Sequence, residues 1–155
     1  MRDINIFFRE KPLKMICLGF SSGLPILLVF STLSVWLVQA GINRSTVTLF
    51  SWAGFAYAFK YLWSPLVDNY KLPLLKKLGH RKSWLLVSQI LVLISLILTA
   101  FTDPQNDLFF TALFITFLAF FSATQDILID AFRIESAPQS LQGPMSSMYL
   151  SLIHI

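Results

Sequence analysis

The chain has 155 residues, 55% of them hydrophobic and 13% charged, against roughly 25% charged in a soluble domain. Its net charge of +4 sits at the edges of apolar runs, where membrane topology explains it better than nucleic-acid binding. A single cysteine, Cys17, and two histidines far apart in sequence, His80 and His154, exclude a disulfide framework and a zinc cluster within one chain.

Four apolar runs approach or exceed the roughly 20 residues that cross a bilayer core. They predict an all-α transmembrane fold with helices over 13–38, 46–66, 83–101 and 108–129. A soluble bundle would show amphipathic stripes with charged outer faces, and these runs have none. The first run follows Arg2, Arg9, Lys11 and Lys14. It is longer than the roughly 7–15 residues of a signal-peptide core, so it reads as an uncleaved first span. Near its middle stands Ser21-Ser22-Gly23-Leu24-Pro25. Pro25 removes one backbone donor and Gly23 lets the helix open. At membrane depth, freed carbonyls are tolerated only against protein or a water-lined cavity. Two readings stay open: a broken helix that forms a transport site, and an ordinary kink with small residues at a helix contact.

The second run contains Lys60, six residues before its end at Leu66, or about 9 Å of helix. An ionisable residue inside a span usually faces the protein interior or a water-filled path; the alternative is a stem that snorkels to the headgroups. Lys60 and Ser64 share a face, and Pro65 should kink the helix. Asp68 follows at the helix end. Then comes a basic loop with Lys71, Lys76, Lys77, Arg81 and Lys82. Topology accounts for the positive charge there but not for Asp68. The third run follows, and a tight turn over 102–107 leads into the fourth.

That fourth run ends in "QDILIDAFRIE". On a helix Asp126, Asp130 and Arg133 fall at about 0°, 40° and −20°, one narrow stripe, with Glu135 on the opposite side. Carboxylates at i, i+4 repel unless a cation or a shared proton intervenes, and Arg133 can supply the cation to Asp130. Counted from Leu108, Asp126 lies about 27 Å along and Asp130 about 33 Å. This puts the stripe at the inner edge, facing the Asp68 and Arg81–Lys82 loop, which suits a gate better than a substrate site; a solvated helix extension is the plain alternative. Gly143-Pro144 marks a break, and 145–155 begins a fifth helix that stops about 16 Å in, half a bilayer, as expected of a fragment of a longer protein.

Ten basic residues flank the N-terminus, the 67–82 loop and the tail after the fourth helix, against Arg44 alone on the other side. This bias predicts a cytoplasmic N-terminus. Trp36 and Trp52 on one side, and Trp63 and Trp84 on the other, suit interfacial anchors. With no Ser-His-Asp constellation, metal cluster or phosphate-binding glycine loop, the chain reads as a non-enzyme without a cofactor.

The segments "GFSSGLPILLVFSTLSVWLVQAGI", "FKYLWSPLVDNY", "LGHRKSWLLVSQ" and "SATQDILIDAFRIE" resemble, in order, the first third of AmpG-type muropeptide permeases. These belong to the major facilitator superfamily and are related to acetyl-coenzyme A transporters. The loop from Asp68 to Gly79-His80-Arg81-Lys82 resembles the superfamily's cytoplasmic motif with a longer spacing from Asp to Gly. The resemblance implies a bacterial inner-membrane protein. It also implies that 1–155 is an incomplete N-terminal six-helix bundle: four spans and the start of a fifth. Its partners would be lipid, protons, an anhydro-muropeptide and the remaining helices, which a separate chain can supply. It implies pathway or proton roles for Lys60, Asp126 and Asp130, and a gate of Asp68, Arg81, Lys82, Arg133 and Glu135. Gly23, Pro25 and Pro65 would be helix breaks. Two alternatives remain: another cargo such as acetyl-coenzyme A, and a non-transporting remnant of a degraded gene.

Overall fold

The computed structural model describes residues 10–70, 79–136 and 138–153. Arg2, Arg9, Lys71, Lys76 and Lys77, which contribute to the topology count, lie outside them, as do His154 and Ile155. Among the described residues every regular element is helical. The chain is a multi-pass membrane protein: Pro12–Gln39, His80–Phe101 and Leu108–Ser136 are each long and apolar enough to cross a bilayer.

The first span is a continuous rod of α1 (Glu10–Leu27), a π turn (Leu28–Thr32) and α2 (Leu33–Gln39). It does not open at Gly23. Gly23 and Pro25 both lie inside α1, and the departure from α geometry comes later, where the Leu33 N–H donates to Leu28 O. Pro25 removes one backbone bond, and one lost bond does not break a rod whose neighbouring turns keep theirs.

The second segment differs more from expectation. It is not one helix but α3 (Arg44–Phe50), a 3-10 turn (Ser51–Gly54), α4 (Phe55–Ala58), a 3-10 turn (Lys60–Leu62) and α5 (Ser64–Asn69). Pro65 sits in the first turn of α5, where its missing N–H has no helical partner to lose. The kink therefore falls one turn earlier, at Phe59–Trp63, as the i−4 clash of a proline ring requires. The other break accompanies a close contact: a Cβ on Gly54 would lie 2.7 Å from the Phe30 ring.

α6 (His80–Phe101) and α7 (Leu108–Ser136) form a helical hairpin. Its turn is held by Asp103, which accepts from Gln105 N (3.0 Å) and Asn106 Nδ2 (2.6 Å). Ser88 and Ser95 are buried on α6, and each returns its hydroxyl to its own helix, to Leu85 O and Leu91 O. Small side chains can then line the contact with no orphaned donor. α7 runs past the expected end at 129 to Ser136. α8 (Gln139–Ile153) starts before the expected 145 and contains both Gly143 and Pro144, so the anticipated break there is absent.

Two apolar clusters fill the interior. One joins Val29, Leu33 and Leu37 to Phe50, Val92, Ile115 and Leu118. The other joins Met15 to Ile129, Leu141, Met145 and Tyr149. Between them on α7 lie Ser122, Gln125 and Asp126, and between them on α1 lie Ser21 and Ser22. The polar layer of the protein is thus enclosed by hydrocarbon on both sides.

Candidate functional site

Asp126 is the centre of that layer. Its Oδ2 accepts from Lys60 Nζ, 66 residues earlier in sequence. Its Oδ1 accepts from the Tyr149 hydroxyl and from Ser22 Oγ (3.2 Å). The two carboxylate oxygens are therefore divided: one is held by the second segment, the other by α1 and α8 together. The ion pair is largely enclosed, with side-chain exposures of 15% for Lys60 and 13% for Asp126. A charge buried this way is stable only when paired and hydrogen-bonded, and both conditions are met.

The fracture of the second segment bears on this contact. Lys60 opens the 3-10 turn that follows Phe59, so its stem leaves toward α7 from an irregular backbone. Trp63 secures the same stretch by donating to Thr124 Oγ1 (3.1 Å) and packing on Phe120 with centroids 4.7 Å apart. Trp63, expected as an interfacial anchor, is thus a helix-to-helix contact. Snorkelling does not describe Lys60 here, because its ammonium is on a carboxylate inside the bundle.

α7 continues further past Asp126 than expected. Asp126 is ten residues before the end of α7 and Ser22 ten residues after Pro12, about 15 Å in each case. The carboxylate is therefore more than two turns from the near end of each helix, while it remains about 27 Å along α7 from Leu108.

The neighbouring Ser21 serves a second network. Its hydroxyl accepts from Gln125 Nε2 (2.8 Å) and Gln89 Nε2 (3.4 Å), tying α1 to α7 and α6. Successive serines on a helix point about 100° apart, which is why one dipeptide reaches two networks. Three buried polar atoms close to the ion pair, Tyr57 Oη, Ser122 Oγ and Gln125 Oε1, make no hydrogen bond among the described residues.

A second charged cluster lies at the α5–α6 end. Arg81 donates to Asp68 and, through Nε (3.0 Å) and Nη2 (2.8 Å), to Glu135 Oε1. It is more open: Asp68 is 42% exposed and Glu135 55%. Lys82 is exposed and lines a groove there with His80, Arg81, Phe132 and Glu135. Gly79 precedes α6 at φ +85°, a turn that L side chains resist. Arg133 pairs with Asp130 (3.1 Å) within α7, as i, i+3 spacing predicts.

Two of the sequence expectations combine differently here. Asp126, Asp130 and Arg133 do not face the Arg81 loop. Asp126 turns to Lys60, while Glu135, roughly half a turn around α7, is the residue that meets Arg81. Tyr149, Tyr57, Ser122 and Gln125 are not among the residues expected from sequence, and Ser22 is only as part of the Ser21–Pro25 interruption. Gln125 beside Asp126 in an apolar run was a usable signal; Tyr149 carried none, since a tyrosine in an apolar helix is unremarkable by itself.

The arrangement holds an ion pair in a low-dielectric interior, where ionisable groups of membrane helices mark ion or substrate paths. The family model described as acetyl-coenzyme A transporter 1 matches residues 13–143. Curated relatives agree. The chain is 40% identical over 147 residues to "Putative transporter AmpG 4" of Rickettsia conorii, covering 95% of this chain and 36% of that protein. It is 39% identical over 140 residues to the anhydromuropeptide permease of Escherichia coli K12, covering 90% of this chain and 28% of that one. A similar match, 39% over 148 residues, is to an uncharacterized protein of Haemophilus influenzae, covering 96% of this chain and 34% of that protein. The chain spans about a third of the length of these relatives.

Proposed function

The chain belongs to the family described as acetyl-coenzyme A transporter 1, and from that premise we propose that it forms the N-terminal part of a proton-coupled permease for anhydro-muropeptides. The permease would sit in the bacterial inner membrane with its N-terminus in the cytoplasm. In this reading the fractured second segment is a span like the other three, and α8 is the start of a fifth. All five belong to one six-helix major-facilitator bundle. In this reading alternating access needs a second bundle to rock against the first, and the remaining length of its relatives would supply it.

The observation that carries the proposal is the enclosed Lys60–Asp126 pair, its carboxylate on the apolar span α7 and its ammonium from the fractured segment packed against it. Ionisable pairs enclosed among membrane helices mark proton and substrate paths. Protonation of Asp126 would release Lys60, and Asp130 one turn along offers a second carboxylate. The Arg81–Asp68–Glu135 cluster, with Lys82 beside it and Arg133 on Asp130, would act as the cytoplasmic latch. Its exposed geometry suits pairs that break and reform.

The test is a chimera of this chain with the remaining two thirds of the Escherichia coli anhydromuropeptide permease, in cells deleted for that permease. Labelled anhydro-muropeptide should accumulate, dissipating the proton gradient should stop it, and Asp126→Asn should abolish it. Uptake by Lys60→Met and Asp126→Asn equal to that of the parent chimera sinks the reading. The family description favours a second cargo, acetyl-coenzyme A. Competition decides between them: inhibition by acetyl-coenzyme A and none by anhydro-muropeptide replaces the first cargo with the second.

A further inference from the structure

We infer that Tyr149 is the positioning residue for Asp126, and that through it the carboxylate's engagement depends on how α8 is seated on α1. The consequence for uptake rests on the transport reading above; the coupling itself does not.

Tyr149 is 4% exposed and belongs to the apolar cluster that joins α1, α7 and α8. Its hydroxyl donates to Asp126 Oδ1 and lies 3.2 Å from Ser22 Oγ, which donates to the same oxygen. Lys60 takes Oδ2. With Oδ1 fixed by two hydroxyls, the carboxylate plane is set and Oδ2 is presented to the second segment. The other groups near this carboxylate are Tyr57 from the second segment, and Asp130 with its partner Arg133 on α7. α6 contributes only the neutral Gln89, through Ser21.

The seat beneath Tyr149 is a backbone-to-backbone contact. A Cβ on Gly19 would lie 2.6 Å from Tyr149 O and 3.2 Å from its Cα. α8 can therefore approach α1 this closely only because residue 19 has no side chain. A phenol is rigid, so its reach is fixed. Withdrawing α8 by the thickness of a methyl group carries the hydroxyl out of hydrogen-bond range. The linkage is reciprocal: a carboxylate that loses its charge holds the phenol less well and loosens α8.

The experiment uses the 155-residue chain in lipid nanodiscs and reads hydrogen exchange of the α8 amides by mass spectrometry. Tyr149→Phe keeps the ring and the packing and removes one oxygen. It should quicken α8 exchange about tenfold, the loss of one hydrogen bond to a charged group. Asp126→Asn, a neutral mimic of the protonated acid, should do the same. The double variant should go no further than Asp126→Asn alone, because the bond that Tyr149→Phe removes is already weakened there along with the Lys60 pair. Gly19→Ala keeps the hydroxyl but lifts the helix, and should reproduce the effect. α8 exchange unchanged in Tyr149→Phe, or additive effects in the double variant, overturns the inference. In the chimera, Tyr149→Phe should leave KM within about twofold and move the pH–rate profile; an unmoved profile together with quickened exchange would overturn the consequence for uptake. A parent chimera that does not transport overturns the transport reading alone, because the exchange measurement needs no cargo.

Discussion

Asp126 and Glu135 sit nine residues apart on α7, and each meets a basic side chain from another element. Asp126 is 13% exposed and divides its two oxygens among three elements; Glu135 is 55% exposed and offers one oxygen to one arginine. Opposite faces of one helix thus carry carboxylate–cation pairs in different solvents. In the interior, desolvation makes an unpaired charge more costly than the pair is favourable. At the open end water screens both partners, and the pair contributes little. The buried pair is therefore costly to separate, and the exposed one is a contact that can open with little loss.

The largest effect expected from this contrast follows from breaking the buried pair one residue at a time. Lys60→Met or Asp126→Leu alone should destabilise the chain by about 3–5 kcal/mol, read by steric-trapping unfolding in lipid, because each strands a buried charge. Lys60→Met with Asp126→Leu should recover most of that loss. A double variant as unstable as the sum of the singles would break the comparison. Next comes the helix seat. Gly19→Ala should cost about 1–3 kcal/mol, since the methyl meets backbone that cannot rotate away. Gly143→Ala, where nothing lies within 4 Å, should stabilise by up to about 1 kcal/mol. Equal signs for the two glycines would mean that helix propensity, not the α1–α8 contact, decides. At the open end Arg81→Gln should cost about 1 kcal/mol or less, shrinking as salt rises from 0.01 M to about 1 M. A salt-independent loss would place that cluster in the same class as Asp126. Asp130→Asn should be smallest, about 0.3–0.5 kcal/mol in the same unfolding assay, the value of an i, i+3 pair on a helix surface.

Much of the fold could be read from composition, because the length of an apolar run against bilayer thickness is a one-dimensional quantity. The α6–α7 hairpin and its turn at 102–107 follow from such runs and from Asp103 among turn residues. The second segment was harder. Pro65 announced a kink, but the irregular backbone at Ser51–Gly54 answers to the Phe30 ring from another helix, and no local pattern carries that. The π turn at Leu28–Thr32 was invisible for the same reason, and Gly23 was over-read: a glycine permits an opening without requiring one.

Of the site, the residue types were legible and the pairings were not. Lys60 and Asp126 stand out in sequence because a charge in hydrocarbon is expensive wherever it lies. Helical angles separate Asp126 from Glu135 on α7, yet they cannot say which side faces Arg81. By itself the sequence determined that this is a membrane protein with apolar helical segments, that two charges lie within them, and that its motifs are those of a transporter family; each follows from local composition or residue order. Only the tertiary structure decided that Lys60 reaches Asp126 across 66 residues, that Ser22 and Tyr149 complete the carboxylate's shell, and that Glu135 takes Arg81. Those contacts depend on the rotation and level of packed helices, quantities set by which side chains interdigitate across the bundle rather than by any stretch of chain alone.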